Sequence, residues 1–90
     1  MGEIYYPTVY EKIKDEVKQK DLYEARRESL NLLLETILNK HPRNSKIRND
    51  VINLIYIYTS MYKEKENNCN EKIKRLAHIR DTKGANYVER

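Results

Sequence analysis

The sequence is poor in the residues that build tight turns and crosslinks. Its 90 residues include 2 Gly, 2 Pro and 1 Cys. An all-β fold needs many tight turns, so this scarcity argues against one. The single cysteine, Cys69, cannot form an internal disulfide, which excludes a disulfide-stapled secreted scaffold and favours a reducing compartment. Two glycines are also too few for a glycine-rich phosphate-binding loop.

Long apolar segments are missing as well. Residues 1–12 show no basic start followed by an apolar run, so we expect no signal peptide. The longest apolar stretch, residues 51–62, is interrupted by Asn53, Thr59 and Ser60 and is too short to span a bilayer. We therefore expect a soluble, cytoplasmic protein.

The residues that are present indicate helices in a single domain, residues 1–90. Charged residues make up 36% and hydrophobic residues 39% of the chain, a balance typical of helical proteins. Thr8 followed by Glu11 predicts a capping box, and Asp21 followed by Glu24 predicts another. Gly84 suits the left-handed position that ends a helix.

Two further breaks are predicted in the middle of the chain. Pro42 disfavours helical geometry at His41, so a helix is expected to end near Lys40 and the next to be capped by Asn44 or Ser45. The polar run at 66–70 reads as a loop that caps a last helix.

Together these signals predict an all-α fold, an antiparallel up-down-up-down four-helix bundle. The four helices are expected at about 8–19, 22–40, 46–64 and 71–83, followed by a short tail at 85–90. The third helix is apolar on most of its circumference and is expected to lie centrally.

Catalysis finds little support in the sequence. His41 and His78 lie in separate segments, and neither stands in a metal-ligand spacing with Cys69. We therefore expect no enzyme, no catalytic residues, no metal and no cofactor. The chain has 8 Tyr but no Phe or Trp; tyrosine at the rim of a small core is favoured over tyrosine that stacks nucleobases.

The net positive charge comes entirely from the second half of the chain. Residues 1–45 contain 8 Lys/Arg and 8 Asp/Glu, whereas residues 46–90 contain 10 and 6, which accounts for the net charge of +4. This asymmetry suits an anionic partner, and a plain solvated helix face explains it about as well. Acidic residues interleave the bases, so we expect no tight binding of nucleic acid.

A resemblance to a known family rests on the C-terminal half. The segment IKRLAHIR at 73–80, preceded by VINLIY at 51–56 and followed by TKGAN at 82–86, resembles immunity proteins against class IIa (pediocin-like) bacteriocins. It is most similar to the enterocin A immunity group. Chain length, basic character and the expected four helices also fit that family.

The resemblance implies a function without chemistry. Such proteins protect a cell from inside, by binding the mannose phosphotransferase permease that bacteriocin has engaged, and are peripheral at the inner face of the membrane at most. Their C-terminal half discriminates between bacteriocins. The residues expected to recognise the partner here are Lys72, Lys74, Arg75, His78, Arg80, Lys83 and Tyr87.

Two alternatives remain open at this point. One is a small basic nucleic-acid-binding or phage-type regulatory protein that uses the C-terminal half. The other is a helical adaptor without distinctive chemistry.

Overall fold

Two long antiparallel helices form the protein in the computed structural model, which describes residues 5–40 and 46–89. Helix α1 spans Val9–Lys40 and helix α2 spans Lys46–Lys83. The prediction of an all-α fold is confirmed. Side chains pair across the hairpin in antiparallel order, with Arg27 of α1 against Glu66 of α2 and Glu16 against Lys72.

The prediction of a four-helix bundle is wrong, because each expected pair of helices is one continuous helix. The segments 8–19 and 22–40 merge into α1. Asp21 and Glu24 lie inside this helix rather than at its start. Residues 19–22 include no Gly or Pro. The Gln, Lys, Asp and Leu at these positions are all tolerated in a helix interior.

The expected loop at 66–70 is the middle of α2. Asparagine costs a helix only up to about 0.7 kcal/mol per residue relative to alanine, so three of them weaken the helix without ending it. Glu66 and Cys69 are three positions apart and are both buried against α1. Long-range packing therefore overrides the local preference for a loop.

The outer ends of the helices were predicted correctly. The Thr8 hydroxyl accepts a hydrogen bond from the Glu11 amide at 3.2 Å and donates one to the Glu11 carboxylate at 3.3 Å. Gly84 has φ of 93°, and its amide donates to the Arg80 carbonyl at 2.8 Å, which closes α2. Helix α1 ends at Lys40 as expected. His41, Pro42 and the predicted cap at Asn44 or Ser45 lie outside the described residues.

The seam between the helices buries few side chains. Among the described residues, the buried apolar ones are Val9, Ile37, Ile55, Cys69 and Leu76. The radius of gyration is 19.3 Å, whereas about 12 Å is typical of a compact domain of this length. The expectation that the third helix would be central is wrong for the same reason: its segment faces one neighbour only, and the rest of its apolar surface stays exposed.

One ion pair fixes how the two helices are aligned. Arg27 donates two hydrogen bonds to the Glu66 carboxylate, at 2.6 and 3.1 Å, and Glu66 is only 4% exposed. The hydrogen bonds to Glu66 raise the pKa of Arg27, so the guanidinium stays charged at neutral pH. A buried carboxylate without its partner is unfavourable, so any slip of one helix along the other is opposed.

We predict that Arg27→Ala destabilises the hairpin more than the paired change Arg27→Met with Glu66→Leu. The single change leaves a buried charge unpaired, whereas the paired change replaces both charges by apolar groups. Thermal melting followed by circular dichroism measures the difference. Equal melting temperatures for Arg27→Ala and the unchanged chain would show that the pair does not hold the register.

Candidate functional site

At one end of the hairpin, α1 begins and α2 ends, and we call this the open end. The C-terminal tail, residues 84–89, covers it. The tail turns at Gly84 and runs back across the start of α1, where the amides of Val9 and Tyr10 donate to the carbonyls of Tyr87 and Ala85 at 2.8 and 3.0 Å. The first amides of a helix have no partner within the helix, so these carbonyls satisfy two of them. The tail is thereby a structural part of this end of the hairpin.

Glu89 fastens the tail to both helices. Its carboxylate accepts two hydrogen bonds from Arg75 of α2, at 2.8 and 3.0 Å, and lies 3.6 Å from the Lys12 ammonium of α1. The hydrogen bonds from Arg75 hold the pKa of Glu89 below its ordinary value. The sequence did not single out Glu89, because its two partners are 14 and 77 positions away.

The seven residues predicted to recognise a partner all lie at this open end, on α2 and the tail, and we call them the basic end. Several of them form contacts within the chain. Four pair with carboxylates: the Lys72 ammonium lies 3.8 Å from a Glu16 oxygen, the Lys74 ammonium 3.5 Å from Glu71, and the Arg80 guanidinium 3.4 Å from Asp81, while Arg75 binds Glu89. The Lys83 ammonium stands 4.8 Å from the centre of the Tyr87 ring. His78 is exposed. The structure thus brings the set together on one end, and it commits Arg75 and Tyr87 to holding the tail.

A second surface was not singled out as a site by the sequence. On one side of the hairpin a groove of about 590 Å³ runs between the helices, in the half that contains the end of α1 and the start of α2. We call it the apolar groove, and its lining residues are Ala25, Arg26, Ser29, Leu30, Leu33, Tyr58 and Tyr62. The sequence does contain a signal for this groove. Ala25, Ser29 and Leu33 are spaced by four positions, as are Tyr58 and Tyr62, which places each set on one face of its helix.

The opposite side of the hairpin carries a groove of different character. This polar groove, of about 380 Å³, is lined by Arg27, Thr59, Ser60, Lys63, Glu64 and Asn67. Its residues follow those of the apolar groove by about one position on each helix, which turns them by roughly 100° onto the other side. The hairpin therefore presents one apolar and one polar side.

Aromatic and cationic groups border the apolar groove where α1 and α2 meet. The rings of Tyr23 and Tyr62 lie 6.0 Å apart between centroids, and the Arg26 guanidinium stands 5.9 Å from the Tyr62 ring. Lys65 stands 5.4 Å from the Tyr23 ring. These contacts hold the Tyr62 ring and the Arg26 guanidinium at the edge of the groove.

Cys69 lies in the seam and not in a site. It is buried, and burial raises the pKa of its thiol, with a further contribution from a hydrogen bond to Glu16. A thiol with a raised pKa is largely protonated at neutral pH, and the protonated form is a poor nucleophile. Cys69 thus packs as a small apolar residue.

Known chemistry and known proteins give no further assignment. Within residues 5–40 and 46–89, no group of three or more His, Cys, Asp and Glu side chains is arranged to hold a metal ion. Neither described helix has a segment apolar and long enough to cross a membrane. The sequence matches no family model, no curated protein and no solved structure.

We predict that acid weakens the attachment of the tail. The folded-state pKa of Glu89 is below its ordinary value of 4.5, so the charged carboxylate stabilises the tail above that pH and the contribution is lost as the pH falls through the lower, folded-state pKa. The amide resonances of Val9 and Tyr10 should report this step in an NMR titration.

Glu89→Gln is the matched control for the titration. It keeps the side-chain shape and removes the titrating group, so the low-pH step should disappear while other carboxylates still titrate. Identical titrations of the two proteins would mean that Glu89 does not anchor the tail.

Proposed function

We propose that this chain acts by binding other polypeptides and performs no chemical step of its own. The observation that carries the proposal is the apolar groove together with the large apolar side chains exposed around it. Leu33, Leu54 and Tyr58 are about half exposed, at 47%, 52% and 48%. Contiguous apolar surface of this kind marks a protein interaction site.

The residue types at the groove support a protein partner. Tyrosine and arginine are enriched among the residues that contribute most to protein interfaces, and the groove has Tyr58, Tyr62 and Arg26. The basic end supports nucleic acid less well. Its cations at Lys74, Arg75 and Arg80 each lie within 3.5 Å of a carboxylate oxygen, which competes with phosphate.

A photoreactive side chain tests the proposal directly. With p-benzoylphenylalanine in place of Tyr58, irradiation of living cells that express the full chain should give covalent adducts with a polypeptide. The same group in place of Ser60, in the polar groove, should give few. If position 58 forms no adducts, or no more than position 60 does, the chain does not bind protein through this groove.

The resemblance to bacteriocin immunity proteins suggests the specific role, which stays a prediction. On this hypothesis the protein lies in the cytoplasm, and the basic end contacts the mannose permease that a class IIa bacteriocin has engaged. The exposure of Lys74, Arg75 and His78 supports the basic end as a recognition surface.

Expression in a sensitive strain should therefore protect it against at least one member of a panel of class IIa bacteriocins. Changing Lys74, His78 and Arg80 together to Gln should reduce that protection with little change in melting temperature, because these side chains are exposed and hold no part of the tail. Arg75 is left intact because its loss would also release Glu89.

The control for this experiment is Lys63→Gln, which removes a cation from α2 at the polar groove. Protection should persist in this variant. If the unchanged chain protects against no bacteriocin in the panel, the immunity hypothesis is wrong. Full protection by the triple variant would exclude these three basic side chains as the recognition surface.

A further inference from the structure

The hairpin is a single layer of two helices, and its own fold leaves that layer uncovered on the apolar side. A stable domain is normally built from at least two layers that bury apolar surface between them. Here the buried apolar side chains of the described residues number five, on the seam alone. A core of this size is too small for a chain of this length without an additional source of stability, and oligomerisation is one of the few available.

The uncovered area is close to what a stable dimer buries. Four large apolar side chains on and beside the apolar groove are exposed by 47% to 77%: Ile47, Leu54 and Tyr58, which share one face of α2, and Leu33 of α1. With the half-buried Leu30 and Tyr62, and at roughly 100 Å² each, they offer about 600 Å², which is one partner's share at the lower end of standard interfaces.

The distribution of charge favours a second copy as the occupant. Residues 51–62 contain no charged side chain, and neither do residues 29–34. Arg26 is the one charged residue among those that line the apolar groove, whereas 36% of the whole chain is charged. A surface with so little charge offers little to select an oppositely charged partner, and two copies that meet there bring few like charges together.

We propose that two copies of this chain pair apolar groove to apolar groove about a two-fold axis, in a dimer of hairpins with two layers. This inference rests on the proposed function and names the polypeptide that the groove binds. A hairpin with so small a core needs its cover whenever it is folded, and another copy of the same chain is present from synthesis onward. In a two-fold interface the same patch serves both chains, so each groove residue contributes twice.

The mass of the purified full chain in solution tests the dimer. Sedimentation equilibrium should give twice the monomer mass, and the dimer should dissociate on dilution. The melting temperature should decrease as the protein is diluted. Leu33→Lys should raise the dissociation constant by at least about 100-fold, because a charge enters the interface twice. Asn67→Lys adds the same charge in the polar groove and should leave the dimer intact.

Failures of the two proposals are distinguishable. A folded wild-type monomer at high concentration would overturn the dimer, and so would a dimer that Leu33→Lys weakens no more than Asn67→Lys does. Because the wild-type mass decides by itself, a variant that fails to fold does not remove the test. If either result overturns the dimer, adducts of position 58 with a different protein in cells would still support the proposed function. The absence of any adduct would overturn the proposed function as well.

Discussion

The ion pair between Arg27 and Glu66 is the contact on which the rest of the structure depends. Its carboxylate is buried, the pair is bidentate, and it joins the middle of α1 to the middle of α2. With this point of alignment, Tyr23 lies beside Tyr62 and Glu16 lies near Lys72 and Cys69. The apolar seam buries few side chains among the described residues, and a shifted register would leave the Glu66 carboxylate buried without its partner.

The two ends of the hairpin differ because the charges differ. Towards the open end, residues 71–83 of α2 include five Lys/Arg and two Asp/Glu. The tail returns there to satisfy the first amides of α1 through the carbonyls of Ala85 and Tyr87. In the other half of the hairpin, residues 29–34 and 51–62 contain no charged side chain and expose leucine, isoleucine and tyrosine. One end is therefore closed by the chain itself, and the other half leaves apolar surface exposed.

Local signals predicted the outer boundaries of the fold and failed in its interior. Thr8, Glu11 and Gly84 act through neighbours three or four positions away, so a sequence pattern is enough to recognise them. Asp21 with Glu24 has the same local pattern as Thr8 with Glu11, yet α1 continues through it. The polar run at 66–70 contains Glu66 and Cys69, whose contacts on α1 are far away in sequence and cannot be read from composition.

The candidate surfaces were predictable to different degrees. The basic end follows from charge counting, because exposed lysines and arginines need no tertiary contact to stay exposed. The sequence by itself determined an all-α chain with capped outer ends and a basic second half. Only the tertiary structure decided that there are two helices rather than four, that Arg75 holds the tail through Glu89, and that Leu33 and Tyr58 border an open groove. The physical reason is that periodicity shows which side chains prefer burial, whereas the number of neighbouring elements decides how many of them are buried.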